Sequence, residues 1–351
     1  MAQRIVIMAG GTGGHVFPAL AVAESLRAQG WQVSWLGTKS GLESSVVPAQ
    51  GIAIDWLSVA GVRGKGWLTK IKSLALLGLA CVQAWQILRQ RKPDVVLGMG
   101  GFVAGPGGLM AKLLGIPLVI HEQNRVPGTT NRLLAKLASR VLEAFPGSFN
   151  QAVGAKCTGN PLRAAFLAAA GPAPVRTDAN TRILVVGGSL GAKALNEVMP
   201  ETAYGLTSVQ IRHQTGGAMC ETVRQRYQSL QVDAEVVAFI DAMAEAYRWA
   251  DIVICRAGAM TVSEVAAIGV PAIFVPLPQA IDDHQTANAR FLADAGGGVL
   301  LPQQQLTPTV LAAQIKTVSA NKSVMAKAAK ACARLDATQV VAHYCITEAG
   351  L

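Results

Sequence analysis

The side chains best suited to move a proton in this chain stand directly after short apolar runs. His15 closes the segment RIVIMAGGTGG, Arg4 to Gly14, and the quartet His121-Glu122-Gln123-Asn124 follows the apolar triplet Leu118–Ile120. A histidine titrates near neutrality, so it can take a proton from a hydroxyl at physiological pH. Two readings of His15 stand side by side: a neutral residue capping the helix that follows, or a general base. A polar quartet placed directly after a strand is less often mere loop chemistry. A third cluster, RAGAMTVSE from Arg256 to Glu264, follows Ile252–Cys255. Its hydroxyls and its acid form either a helix-capping box or a holder for a ribose and phosphates.

Glycine clusters accompany these residues at Gly10–Gly14, Gly98–Gly108 and Gly187–Gly191. A glycine turn between strand and helix lets backbone N–H groups and the helix dipole approach an anion. One glycine pair alone reads as close packing of helix on strand. Three clusters, each just after a strand, favour ligand binding at the carboxyl edge of an open parallel sheet. The ligand is not a dinucleotide of the usual kind. Val16 stands at the third position of GxGxxG, the second glycine is missing after Gly187 or Gly188, and Trp35-Leu36-Gly37-Thr38 supplies no ribose-binding acid. No GxxxxGK[ST] loop occurs. Dehydrogenase and P-loop chemistry are therefore disfavoured.

Two repeated halves must carry these loops. RIVIMAGGTGG is echoed by RILVVGGSLGA, Arg182 to Ala192, with Gly10 and Gly187 177 residues apart. The periodicity predicts helices over Pro18–Gln29, from about Ala194 and from about Thr338. Strands are predicted at Gln32–Leu36, Val95–Leu97, Leu118–Ile120, Val236–Ala238, Ile252–Cys255 and Ala272–Val275. Alternation of strand and helix implies an α/β chain with two Rossmann-like, doubly wound parallel-sheet domains. The boundary is expected near Pro161, dividing residues 1–162 from 163–337. A linker is expected over Gly171–Pro174 and Thr177–Thr181. The last helix, 338–351, is a candidate to pack back on the first domain.

A length of 351 residues suits two domains, and 51% hydrophobic against 15% charged residues excludes a disordered chain. The net charge of +10 points to an anionic partner. Residues 1–162 carry 16 basic and 6 acidic side chains and the remainder 15 of each, so a uniformly basic nucleic-acid coat is disfavoured. Cys81, Cys157, Cys220, Cys255, Cys332 and Cys345 are scattered, which predicts reduced thiols and no structural zinc. No signal peptide or membrane span is read from the sequence, and a cytoplasmic protein is expected.

In order along the chain, GGTGGHVFPALAVAESL, VLGMGGFVAGPGGL, HEQN, GNPLR, VVGGSLGA, FIDAMAEAY and RAGAMTVSE resemble the bacterial peptidoglycan glycosyltransferases of the lipid stage. The match runs from Arg4 to about Asn288. Those enzymes move N-acetylglucosamine from its UDP donor to the C4 hydroxyl of undecaprenyl-pyrophosphoryl-N-acetylmuramyl-pentapeptide. The resemblance implies a GT-B fold with a cleft between its domains, and an inverting, metal-independent transfer that needs no cofactor. It assigns the N-terminal domain to the acceptor and the membrane, and the C-terminal domain to the UDP-sugar. It places Thr12, Gly13, Gly14, Asn124, Arg163, Ser189, Ile240, Gln285 and Asn288 at the donor, with the stretch Ala259, Met260, Thr261, Val262, Ser263 and Glu264. Gly100, Gly101 and His121 fall to the acceptor. His15 is the first candidate for the base that deprotonates the acceptor hydroxyl, and Glu122 the second. Phe102, Ala104 and Leu190 depart from the Tyr, Ser and Gln common in the family, removing hydrogen bonds those groups would supply.

Residues 56–93 contain no acid but hold Arg63, Lys65, Lys70, Lys72, Arg89, Arg91 and Lys92. Trp67, Ile71, Leu74, Gly78, Cys81, Trp85 and Leu88 form one helical stripe, expected to be buried. Leu68, Leu76 and Leu79 are surplus to it, and apolar residues flanked by cations suit an anionic leaflet. The expected location is peripheral, on the cytoplasmic face of the bacterial inner membrane. Other cell-wall synthesis proteins are candidate partners, with roles in cell shape and division. Two competing functions remain from the residues alone: a UDP-sugar epimerase or hydrolase of the same fold, and a non-catalytic membrane-binding module.

Overall fold

The computed structural model describes residues 3–59, 67–171, 180–188, 190–278 and 281–350, with the backbone alone for 67–74 and 281. The chain divides into two compact units, Met1–Arg163 with Leu335–Leu351, and Ala164–Arg334. Of the expected linker, residues 172–174 and 177–179 lie outside the described residues, and Thr181 opens a strand instead.

The first unit runs β1 (Arg4–Met8), α1 (Gly13–Ala28), β2 (Gln32–Gly37), α2 (Glu43–Ala49), β3 (Ala53–Trp56) and α3 (Trp67–Arg91). It continues with β4 (Val95–Gly98), α4 (Ala104–Leu113), β5 (Leu118–Glu122), α5 (Thr129–Leu134), β6 (Arg140–Glu143) and β7 (Lys156–Cys157). All seven strands pair in parallel in the order β3-β2-β1-β4-β5-β6-β7. Period-2 alternation explains how β1 serves two cores. Ile5 and Ile7 face one layer, with Val16 and Val22 of α1, and Val6 and Met8 face the other, with Ala84 and Leu88 of α3.

The second unit runs α6 (Ala164–Ala169), β8 (Thr181–Val186), α7 (Lys193–Tyr204), β9 (Val209–Gln214), α8 (Cys220–Ser229), β10 (Glu235–Val237) and α9 (Met243–Trp249). Then follow β11 (Ile252–Cys255), α10 (Ala259–Ile268), β12 (Ala272–Phe274), α11 (His284–Ala293), β13 (Gly298–Leu300) and α12 (Pro308–Ala331). Its six strands are parallel in the order β10-β9-β8-β11-β12-β13. The final helix, α13 (Ala337–Glu348), returns to the first unit, burying Val341, Ala342 and Cys345 in the core beside α1. Strand order therefore reverses between β1 and β4 in one sheet and between β8 and β11 in the other. At such a switch point the loops leave in opposite directions and open a crevice at the strands' carboxyl ends.

Two local expectations are corrected. Helix α1 starts at Gly13, five residues before Pro18, because the Thr12 carbonyl accepts from the N–H groups of both His15 and Val16. Pro18 sits inside the helix and leaves the Gly14 carbonyl without its usual donor. Among the described side chains of α3 the buried face is Ala80, Ala84 and Leu88, and the expected stripe is not buried as a whole: Gly78 and Trp85 are exposed. Two alanines let α3 lie close to the sheet, which larger residues at those positions would prevent.

Under the glycine turn of the second unit lies a buried polar chain. The Tyr227 hydroxyl stands 3.1 Å from His213 Nδ1, and His213 Nε2 is 3.1 Å from Asn196 Oδ1. Asn196 Nδ2 donates to the Thr215 carbonyl at 2.9 Å. Burial pushes His213 down to about 3 and His121 of the first unit down to about 4. Both are neutral when folded, whereas an unfolded histidine binds a proton below about 6.5. Stability is thus full above that pH and falls as the pH drops toward the folded values, by up to about 1.4 kcal/mol per pH unit for each histidine. Thermal unfolding between pH 7 and pH 5 is expected to show this loss, and His213→Gln is expected to reduce it. An undiminished pH dependence in that variant would contradict the assignment.

Candidate active site

In the first unit, three strand-end loops meet around His15. The ring lies in the first turn of α1, half-buried. Gly100, with φ +100°, has no room for a side chain: a Cβ there would come 2.8 Å from His15 Nδ1. At Gly101 a Cβ would meet the Gly10 carbonyl at 2.5 Å. The glycines expected at the acceptor thus let the loop after β4 close on the loop after β1. Thr12 is exposed, and Gly13 and Gly14 are half-buried.

The quartet begins inside β5, so His121 and Glu122 are strand residues and both are buried. His121 Nε2 lies 2.9 Å from the Gly159 carbonyl, and its Nδ1 lies 3.1 Å from Gln123 Nε2. Gln123 Oε1 in turn lies 2.8 Å from His15 Nδ1. Asn160 Nδ2 donates to the Gln123 carbonyl at 3.1 Å, so the GNPLR segment braces the quartet from below. Glu122, the second candidate base, is engaged throughout. Its carboxylate accepts from Asn124 N and Nδ2, Gly128 N and Asn131 Nδ2, at 2.9 to 3.3 Å. Those four donors make it the clasp of the loop from Gln123 to Asn131. Two more buried acids do the same work. Glu43 accepts from Gly11 N and from Thr38 N and Oγ1, and Glu143 from Gly147 N and Phe149 N.

The second unit holds a pocket of about 570 Å³ at its switch point, lined by Gly187, Gly188, Gly191, Arg256, Thr261 and Gln285 among others. The volume lies within the range of small-molecule sites. Gly191 packs so closely on the Thr215 carbonyl that no side chain fits. Arg256 reaches the Val275 and Pro276 carbonyls and Gln303 Oε1, at 3.0, 3.1 and 2.7 Å, and burial lowers its pKa from the usual arginine value. Gln285 accepts from Leu277 N at 3.0 Å, and Asn288, fully buried, donates to the Ala257 carbonyl. Ala259, Val262 and Glu264 are buried on α10, and Met260, Thr261 and Ser263 are half-buried. Ile240 is half-buried in the turn before α9. Arg163 closes the first unit, with its guanidinium 5.0 Å from the Phe17 ring centre. Ser189 lies outside the described residues. Gln303 has no signal in the sequence, and Gln123 and Arg256 stand there only as members of the HEQN and RAGAMTVSE clusters, with no role of their own.

The expected membrane segment is described in part. Arg63 and Lys65 fall outside the described residues, as do the side chains of Leu68, Lys70 and Lys72. Leu79 is exposed, and Leu76 lines an apolar groove of about 430 Å³ with Leu77, Phe102, Leu109 and Leu133. The apolar face extends from α3 across α4 and α5, where Leu113 and Leu133 are 70% and 61% exposed. Among the described residues no helix is long and apolar enough to cross a membrane.

Replacing Glu122 by Gln turns one accepting oxygen into a donor facing other donors. Glu122→Gln is expected to cost about 1–3 kcal/mol and to lower the thermal midpoint. A midpoint and activity equal to the parent's would show that the carboxylate does not clasp this loop.

Models of the glycosyltransferase family 28 N-terminal and C-terminal domains match residues 5–143 and 182–343. The UDP-N-acetylglucosamine–N-acetylmuramyl-(pentapeptide) pyrophosphoryl-undecaprenol N-acetylglucosamine transferase of Methylococcus capsulatus is 59% identical over 355 residues, covering 100% of both chains. The Shewanella oneidensis protein of that name is 49% identical over 98% of this chain and 97% of its own. The crystal structure of Acinetobacter baumannii MurG matches with a TM-score of 0.84 at 43% identity, over 98% of this chain and 99% of that one. A UDP-GlcNAc 2-epimerase from Neisseria meningitidis matches with a TM-score of 0.68 at 14% identity, a likeness of fold alone. The two Rossmann-like parallel-sheet units are the GT-B pair, and the chain belongs to glycosyltransferase family 28.

Proposed function

We propose that this chain transfers N-acetylglucosamine from UDP-N-acetylglucosamine to the C4 hydroxyl of undecaprenyl-pyrophosphoryl-N-acetylmuramyl-pentapeptide. Full-length kinship with transferases of that reaction carries the reading. The contact of His15 with the HEQN quartet in one unit and the switch-point pocket in the other support it. His15 Nε2 takes the proton from the acceptor hydroxyl as its oxygen attacks C1 of the donor sugar. The bond from C1 to the β-phosphate oxygen breaks, its electron pair leaves with UDP, and the configuration at C1 inverts. Charge grows on the departing diphosphate. In this reading the Gly187–Ala192 turn, the N-terminus of α7 and the hydroxyls at the start of α10 meet that charge, without a metal ion. Glu264, Gln285 and Asn288 read the ribose and the sugar, and Ile240 the base. Asn124, Arg163 and the Thr12–Gly14 turn complete the donor contacts, while His121, Gly100 and Gly101 shape the acceptor side. Glu122, with four donors already bound, serves as loop clasp and leaves the base role to His15.

The apolar face of α3, α4 and α5 with the cations of residues 63–72 is the surface proposed to seat on an anionic leaflet, on the cytoplasmic side where the lipid-linked acceptor is presented. Cell-wall synthesis proteins are proposed neighbours there.

Release of UDP is expected only when both donor and lipid-pyrophosphoryl muramyl-peptide are present, and His15→Ala is expected to lower kcat by about 10² or more. Acceptor-independent release or epimer formation would refute the transfer. Sedimentation with vesicles of anionic phospholipid is expected to weaken with salt and to fall in Leu113→Glu and Leu133→Glu. Undiminished binding by both variants would place the membrane surface elsewhere.

A further inference from the structure

We infer that Gln123 is a positioning residue, holding His15 in the one tautomer that can accept a proton from the sugar hydroxyl. The inference rests on the reading of His15 as base and adds the device that prepares it. The hydrogen bonds between Gly159 and His15 run in a single direction, and each link fixes the next. The Gly159 carbonyl can only accept, so His121 Nε2, 2.9 Å away, carries the hydrogen. A neutral His121 then presents a lone pair at Nδ1, 3.1 Å from Gln123 Nε2. The same amide nitrogen lies 3.1 Å from the His121 carbonyl oxygen, which also takes only a donor. The orientation of the Gln123 amide is thereby determined twice over, nitrogen toward His121 and oxygen toward His15. An amide oxygen cannot donate. His15 Nδ1, 2.8 Å from it, must carry the hydrogen, and the ring's lone pair is left on Nε2.

The surroundings keep this chain from reversing. His121 is fully buried, and desolvation holds it at about 4, so it stays neutral through the physiological range. Gly100 lies against the Nδ1 edge of His15, where even a Cβ would come within 2.8 Å of the nitrogen. The charged groups on elements packed around the ring are turned to other partners. Glu43 holds Gly11 and Thr38, Glu122 holds the 123–131 loop, and the Arg163 guanidinium lies over Phe17. A free imidazole takes either tautomer, and the form with hydrogen on Nε2 would offer the substrate a donor where an acceptor is required. A neutral amide differs here from a carboxylate. It fixes the tautomer without adding a charge that would hold the proton on the ring once it has been taken.

The test compares Gln123→Met and Gln123→Glu with His15→Ala, reading kcat and kcat/KM against pH, UDP affinity and thermal unfolding. Gln123→Met removes the acceptor and is expected to lower kcat about tenfold or more, with UDP affinity unchanged. Gln123→Glu keeps an acceptor for Nδ1–H but makes it anionic. It is expected to recover part of kcat and to move the acid limb of the kcat/KM profile upward by about one pH unit. The shift identifies the ring beside residue 123 as the titrating base, and the recovery of kcat in Gln123→Glu over Gln123→Met, at unchanged UDP affinity, is what a merely structural glutamine would not produce. Should Gln123→Met fail to fold, the tautomer of neutral His15 in Gln123→Glu, read by 1H–15N correlation, decides in its place. A Gln123→Glu profile superimposable on the parent's, or a folded Gln123→Met with parental kcat, overturns the inference. If His15→Ala is fully active, the base reading itself fails. If His15→Ala is inactive while both glutamine variants match the parent, only the positioning role fails.

Discussion

The hydrogen bond between His15 Nδ1 and Gln123 Oε1, 2.8 Å long, joins segments 108 residues apart and turns three separate loops into one site. It forms because a parallel sheet with a switch point delivers the ends of β1, β4 and β5 to one edge. An unmet buried polar group costs roughly 1–3 kcal/mol, so each member of the chain from Gly159 to His15 constrains the next. The geometry around the ring follows from that requirement, down to Gly100, whose missing side chain is space the imidazole uses.

The same requirement explains the buried acids. Glu43, Glu122 and Glu143 are all buried, and each accepts backbone N–H groups of a strand-end loop. Loops at this edge cannot satisfy their N–H groups within a sheet or helix, and a carboxylate can take several of them at once. Acids near a site are readily mistaken for catalysts. The four hydrogen bonds that Glu122 already accepts support the proposed division, a loop clasp at Glu122 and a base at His15.

Much of the architecture was legible because its signals are local. Apolar runs ending in glycine, repeated at an offset of 177 residues, pointed to two parallel sheets, and Ile252–Cys255 is a strand over the residues expected. Helix α1 was set too late because Pro18 looks like a first-turn proline, whereas the carbonyl of Thr12 starts the helix earlier. The buried face of α3 was misread because alanines carry little hydrophobic signal, yet Ala80 and Ala84 make the contact. The sequence shows surplus leucines on α3 alone; Leu109, Leu113 and Leu133 extend that apolar surface only when α4 and α5 are set beside α3. Gln123 escaped notice for a different reason. A glutamine has no chemistry of its own, and its role exists only between two histidines brought together by folding.

The charge asymmetry acquires a physical sense in this account. Residues 1–162 carry the cationic excess in the sequence, the first unit exposes an apolar face on α3, α4 and α5, and the second unit offers a pocket lined by glycines, Arg256 and glutamines. The proposed chemistry turns on the protonation pattern of His15. It is read most directly by long-range 1H–15N correlation spectra of the protein with 15N-labelled histidine, recorded through the pH range of activity. Opposite neutral tautomers are expected, with hydrogen on Nδ1 of His15 and on Nε2 of His121, and His121 is expected to remain neutral at pH 5.5. Hydrogen on Nε2 of neutral His15, or an imidazolium at His121, would contradict it.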